Sequence, residues 1–279
     1  MSAIAILSPG EMGTAVAKRL RDSGARVVTC VAGRSAATAE RAEAAGLECL
    51  ASLDEVVGEA DLVVSLVTPF GAPPLARDVA EAVRRTGARV LYVDGNSISP
   101  STAKEIGGVV EAAGAEFVDG GIVGGANNLG KATFYFSGAR APEVAERIAS
   151  AVKAVVIGPK PGQASGLKIL NAGLSKGLTA LGVELLLCAQ RLELVPEIMA
   201  RYREGRPDVA EFFEHVLPDL PPKAKRRAEE MDELTGLMEE LGLTAHTATA
   251  AKAVLSMVAE RYTGDSPDWV TLVSELEHS

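Results

Sequence analysis

From Gly162 to Arg191 the chain runs without a proline, and Leu170, Leu174, Leu178, Leu181 and Leu185 recur at helical spacing. Ser165, Lys168, Asn171 and Ser175 recur at the same spacing on another face. The spacing predicts one long helix over about 163–191, buried on most sides, with a narrow polar stripe near its start. Lys168, Lys176 and Glu184 interrupt the apolar run, so a poor membrane span is expected, and no other run is long and clean enough to cross a bilayer. Unpaired polar groups are costly on a buried helix. The stripe is therefore expected to face a cleft, with Lys168 doing chemistry in it.

Ahead of this stretch, β-branched runs alternate with alanine-rich amphipathic segments. Strands are predicted at 3–7, 26–31, 61–67, 89–93, 133–137 and 154–157, and helices at 11–21, 36–45 and 72–85, with one more between the last two strands. This alternation predicts an α/β fold: an N-terminal Rossmann domain with a doubly wound parallel sheet. Such sheets bind ligands at the carboxyl ends of their strands, which makes 8–13, 32–35, 67–70, 94–99 and 119–128 the candidate loops. After Arg191 strand-like runs disappear and helices are expected at 195–216, 222–241 and 244–262, with Gly242 as a C-cap. The expected domains are 1–160 and an all-α C-terminal domain, 161–279, entered through the long interdomain helix.

The first strand and helix enclose Ser8-Pro9-Gly10-Glu11-Met12-Gly13, a dinucleotide fingerprint with serine in place of its first glycine. Gly10 would admit the pyrophosphate to the backbone, Gly13 would let helix pack on strand, and the helix N-terminus would supply N–H groups to the anion. At the end of the second strand NAD-binding folds usually carry an acid for the ribose hydroxyls. Here stand Gly33, Arg34 and Ser35, with no carboxylate until Glu40. A guanidinium and a hydroxyl suit a 2′-phosphate, so NADP(H) is the expected cofactor.

The formal net charge of −9 over 279 residues argues against a nucleic-acid partner. Cys30, Cys49 and Cys188 have no metal spacing, and His215, His246 and His278 are scattered, so no metal is expected. The opening A-I-A-I-L has no basic leader, and reduced thiols fit a cytoplasmic protein. Arg201, Arg203 and Arg206 read as a solvated face, Glu229, Glu230, Glu233, Glu239 and Glu240 as the wet side of a helix, and Tyr262 and Trp269 as packing or interface residues.

Four segments, in order, resemble the β-hydroxyacid dehydrogenase and 6-phosphogluconate dehydrogenase superfamily. Ser8–Gly13 resembles its G-x-G-x-M-G; Asp94-Gly-Asn-Ser-Ile-Ser-Pro100 its D-x-S-T-x-S-P; Asp119-Gly-Gly-Ile-Val-Gly-Gly125 its D-A-P-V-S-G-G; and Gly162–Asn171 its G-x-G-x-x-x-K-x-x-N. The resemblance implies that Lys168 is the general acid–base and that Asn171 holds the substrate beside it. It implies that Asn96, Ser97, Val123, Gly124 and Gly125 hold the substrate's polar groups, and that Leu66, Val67 and Thr68 lie along the cofactor with Asn96. It further implies a homodimer through the helical domain and a small hydroxy acid, or a related alcohol or carbonyl compound, as substrate. Gly124 stands where serine is common, Ala172 where many members have the asparagine, and a C-terminal lysine–aspartate segment is not evident. Arg226–Glu233 resembles a poorly characterised C-terminal domain of the superfamily. Imine reductases share the architecture but usually carry aspartate or tyrosine at the Lys168 position. A non-catalytic NADPH-binding sensor or scaffold is the third reading, indifferent to Lys168→Ala.

Overall fold

The computed structural model describes residues 3–7 and 9–261. Its contacts divide the chain into two compact units, Met1–Lys168 and Ile169–Ser279. The first begins with β1 (Ala3–Leu7), α1 (Glu11–Asp22), β2 (Val27–Cys30), α2 (Ala36–Ala44), β3 (Glu48–Leu50) and α3 (Leu53–Glu59). There follow β4 (Ala60–Ser65), α4 (Ala72–Thr86), β5 (Leu91–Asp94), α5 (Pro100–Glu111) and β6 (Glu116–Val123). Then come β7 (Thr133–Ser137), α6 (Ala141–Ile148), β8 (Lys153–Gly158) and the start of α7 (Gln163–Arg191). The strands form one sheet in the order β3-β2-β1-β4-β5-β6-β7-β8. The order reverses beside β1, which pairs with both β2 and β4.

Every residue of β1 is buried because helices cover both sheet faces. Ala3, Ala5 and Leu7 join a core with Val56, Leu75, Val79 and Ile106 of α3–α5. Ile4 and Ile6 join another with Val16 and Leu20 of α1 and Val144 of α6. Each of the valine, leucine and isoleucine side chains, fully buried, contributes about 1.5–3 kcal/mol, and strand alternation assigns the layers.

Two strands were not expected from the sequence, and one expectation is corrected. Residues 119–123, expected within a loop, belong to β6. The sheet is not wholly parallel: β7 runs antiparallel to β6, with Asp119 opposite Ser137, and β8 is parallel to β7. The reversal follows from the short β6–β7 connection, in which Gly124 takes φ +127; a parallel return would need a long crossover. Strand β3 is a three-residue edge.

In the second unit the rest of α7 is joined by α8 (Val195–Gly205), α9 (Pro207–Val216), α10 (Ala224–Glu240) and α11 (His246–Arg261). The helix expected over 195–216 breaks at Arg206, φ −151. Pro207 starts α9, and the residue before a proline is disfavoured in helical conformation. Gly242 takes φ +72, and the N–H groups of Gly242 and Leu243 bond back to Glu239 and Met238, closing α10 as a C-cap glycine does.

The packing of α7 corrects another expectation. Its buried face carries Ile169, Ala180, Val183 and Leu186, packed with Met199, Phe213 and Met231. The leucine stripe lies elsewhere: Leu170, Leu174, Leu181 and Leu185 are 58%, 68%, 48% and 41% exposed. An added Cβ at Gly182 would stand 2.6 Å from Phe213, so the small residue admits that ring. By length and composition alone α7 is apolar enough to cross a membrane, a test that a core helix also passes; the window concerned has mean hydropathy 1.4 and is 33% buried. Two of its charges are engaged by the chain itself, Lys176 with Glu230 at 2.7 Å and Lys168 as described below. Glu230 and Glu233 are half-buried rather than on a wet face, and burial raises the Glu233 carboxyl above its ordinary range.

Candidate active site

The carboxyl ends of β1, β4 and β5 and the middle of β6 converge, within the first unit, on one polar row. Ser65, Asp94, Asp119 and Ser137 are successive register partners across β4, β5, β6 and β7, and all four are fully buried. Register partners project on the same side of a sheet. Four polar groups without water need partners, and they find them in the flanking loops.

Asp94 ends β5. Its Oδ1 accepts the N–H of Asn96 at 3.0 Å and its Oδ2 accepts Asn96 Nδ2 at 2.9 Å. The same Nδ2 donates to Ser65 Oγ at 2.9 Å, while Asn96 Oδ1 accepts the N–H of Val67. Burial pushes the Asp94 carboxyl up to about 6, against the Asn96 hydrogen bonds; Asp119 adds to the push and the Lys168 ammonium opposes it. Asn96, expected to meet substrate and cofactor, is 2% exposed and spends its amide inside the protein. Its backbone carbonyl oxygen instead accepts Lys168 Nζ at 3.2 Å.

Asp119 lies inside β6 and organises the start of α7. Its Oδ2 accepts the N–H groups of Gly162 and Ala164 at 2.9 Å, that of Ser165 at 3.1 Å, and Ser137 Oγ at 2.8 Å. Its Oδ1 accepts Ser165 Oγ. The first N–H groups of a helix have no partner within it; here a strand supplies the acceptor. Two residues on, a Cβ at Gly121 would stand 2.5 Å from the Ala164 carbonyl oxygen, so only glycine lets β6 approach this closely. Lys168, half-buried, follows Ser165 by three residues on the same helix face.

The other expected site residues divide among these loops. Leu66 is buried, Val67 half-buried and Thr68 exposed at the end of β4; Ser97 is half-buried after Asn96. Val123 ends β6 half-buried, with Gly124 and Gly125 exposed beyond it. Asn171 is exposed, three residues after Lys168 on α7. At the end of β1, Gly10 is the extended N-cap of α1 without a side-chain cap, Glu11 is exposed, Met12 half-buried and Gly13 buried. Ser8 lies outside the described residues, as do Tyr262, Trp269 and His278. Arg34 and Ser35 are exposed after Gly33, which takes φ +71. A cavity of about 250 Å³ opens there, lined by Leu7, Gly33, Arg34, Leu53, Leu75 and Asp78. Arg201 and Arg203 are paired with Glu204 and Glu214.

The residues fit a dinucleotide. A Cβ at Gly10 would meet no protein atom, so the protein itself does not demand glycine there, and the uncapped N–H groups of α1 suit a phosphate. Asp94, Asp119, Ser65 and Ser137 were not among the site residues expected from the sequence. The one signal available was that Asp94 and Asp119 each open a glycine-bearing segment, D-G-N-S and D-G-G.

Residues 3–158 match the NAD binding domain of 6-phosphogluconate dehydrogenase, and residues 189–258 match a domain of unknown function, DUF1932. A 28.5 kDa uncharacterised protein of Methanothermus fervidus is 30% identical over 70% of this chain and 74% of its own length. The conserved protein MTH1747, of unknown function and described as structurally similar to 3-hydroxyacid dehydrogenases, is 30% identical over 92% of this chain and 97% of its own, with a TM-score of 0.78. The fold is shared with a 3-hydroxyisobutyrate dehydrogenase of Mycobacterium tuberculosis, solved with L-serine: 20% identity, 99% of both chains, TM-score 0.79. The chain therefore belongs to the 6-phosphogluconate dehydrogenase-like family of NAD(P)-binding oxidoreductases, here joined to the DUF1932 domain.

Proposed function

We propose that this protein is an NADP(H)-dependent oxidoreductase moving hydride between the cofactor and a small hydroxy acid or related carbonyl compound, with Lys168 as general acid–base. The observation that carries the reading is the Lys168 amine, 3.2 Å from the Asn96 backbone carbonyl oxygen, just past the carboxyl end of β5. That is where a doubly wound sheet receives its ligands. The bound nicotinamide would supply or accept the hydride. Lys168 gives a proton to the substrate oxygen on reduction and takes it back on oxidation; the Asn96 carbonyl keeps the amine directed and accepts one of its hydrogens. Ser97 and the Val123–Gly125 turn border the same strand ends and offer a hydroxyl and backbone N–H groups to an acid, with Asn171 beside Lys168. Gly10–Gly13 holds the pyrophosphate, Leu66–Thr68 follows the ribose, and Arg34 with Ser35 selects the 2′-phosphate.

In this reading residues 1–160 form the cofactor domain and 161–279 a helical domain for substrate and dimerisation. Four exposed leucines on α7 support a homodimer, since each leaves roughly half of the about 1.5–3 kcal/mol of a full burial unrealised in one copy. The test is cofactor oxidation against a panel of small aldehyde acids, keto acids and cyclic imines, with NADPH and NADH compared. An aldehyde or keto acid reduced preferentially with NADPH, at a rate cut about 10²–10⁴-fold by Lys168→Ala, is expected. Turnover of imines alone, a preference for NADH, or indifference to Lys168→Ala each contradicts it.

A further inference from the structure

Asp94 and Asp119 are neighbours in register, fully buried, and each is committed to one side of the Lys168 seat. Asp119 takes three backbone N–H groups around the first turn of α7 and the Ser165 hydroxyl from the same turn. The turn that follows carries Lys168. Asp94 takes the backbone and side-chain N–H groups of Asn96, whose amide is further held by Ser65 and Val67. What Asn96 has left to present is its carbonyl oxygen, and that oxygen meets Lys168 Nζ.

We propose that Asp94 and Asp119 are positioning residues for Lys168: Asp119 sets the helix turn from which the amine projects, and Asp94 sets the carbonyl oxygen that receives it. The proposal rests on the acid–base reading of Lys168. An ordinary helix cap would need only to satisfy the α7 N–H groups. This arrangement does more, because the two acceptors stand side by side on adjacent strands while the groups they fix come from different loops. Gly121 removes the slack between them: the strand bearing Asp119 touches the α7 backbone at Ala164. The Lys168 ammonium also favours the Asp94 carboxylate electrostatically. Loss of either group, or its displacement, therefore leaves the Lys168 amine less tightly held and more open to a reagent.

The test needs no substrate. The full chain is reductively methylated with limiting formaldehyde and cyanoborohydride, and modification at Lys168 is read by peptide mass spectrometry against the exposed Lys18 and Lys131 of the same molecule. Asp119→Glu keeps the charge but moves it, Asp94→Asn removes a charge, and Ser165→Ala removes one hydrogen bond without changing charge. Each folded variant, checked by its melting transition, is expected to raise the Lys168 ratio about fivefold, the factor corresponding to one ordinary hydrogen bond. If Asp119→Glu does not fold, Ser165→Ala and Asp94→Asn decide. Folded variants with the wild-type ratio overturn the proposal and leave two structural caps. Activity retained in Lys168→Ala would instead remove the acid–base reading, a result independent of the labelling.

Discussion

Burial at the end of β5 raises the Asp94 carboxyl from 3.8 to about 6, and this has a consequence for stability. The folded protein holds that proton more tightly than the unfolded chain does. Its contribution to stability therefore declines as pH rises from about 4 to about 6, on the order of 3 kcal/mol in all. Asp94→Asn has no such proton to lose. Its melting temperature, compared with wild type at each pH, is expected to improve by a few degrees between pH ~4 and pH ~7. A difference that stays constant across that interval contradicts the assignment. Ion pairs such as Arg85–Asp54 and Arg26–Glu48 do not obscure the effect. Their carboxyl groups are held below the ordinary range by their arginines, and because both proteins carry these pairs the comparison at each pH cancels them.

The helix α7 serves different ends along its length: a capped turn at its start, a buried face into the helical core, and an exposed leucine stripe. Leu174→Glu places a charge on the most exposed of those leucines. It is expected to shift the protein from dimer to monomer in sedimentation, with little loss of melting temperature, because the side chain contributes little to its own core. An unaltered dimer, or a wild-type monomer, refutes the stripe as the interface. These elements also show how far the chain could be read in advance. Six strands were legible as apolar β-branched runs, and α7 as periodicity without proline. Which face of α7 is buried was not legible: Val183 and Leu186 lie between the leucines, and periodicity alone cannot rank two apolar faces. Strand β6 was hidden because E-F-V-D-G-G-I-V carries a buried acid and two glycines. Those residues make sense only once Asp119 meets α7 and Gly121 meets Ala164. The candidate site divided the same way. Lys168 was legible from its stripe. The row Ser65, Asp94, Asp119 and Ser137 was not, since strand register alone brings those distant positions together.

At the scale of the whole molecule, membership of the 6-phosphogluconate dehydrogenase-like family supplies the cofactor domain, and the DUF1932 domain follows it in the chain. One helix runs from one into the other: its first residues belong to the first unit and its remainder to the second. The account depends on where Lys168 stands when cofactor is present. The direct measurement is a crystal structure of the protein grown with NADPH. It is expected to place Lys168 Nζ beside the hydride-bearing face of the nicotinamide, so that an oxygen on the reacting carbon would lie within about 3–3.5 Å of the amine. Arg34 should then contact the 2′-phosphate. A nicotinamide ring bound beyond the reach of Lys168, or bound against the opposite ends of the strands, contradicts the account.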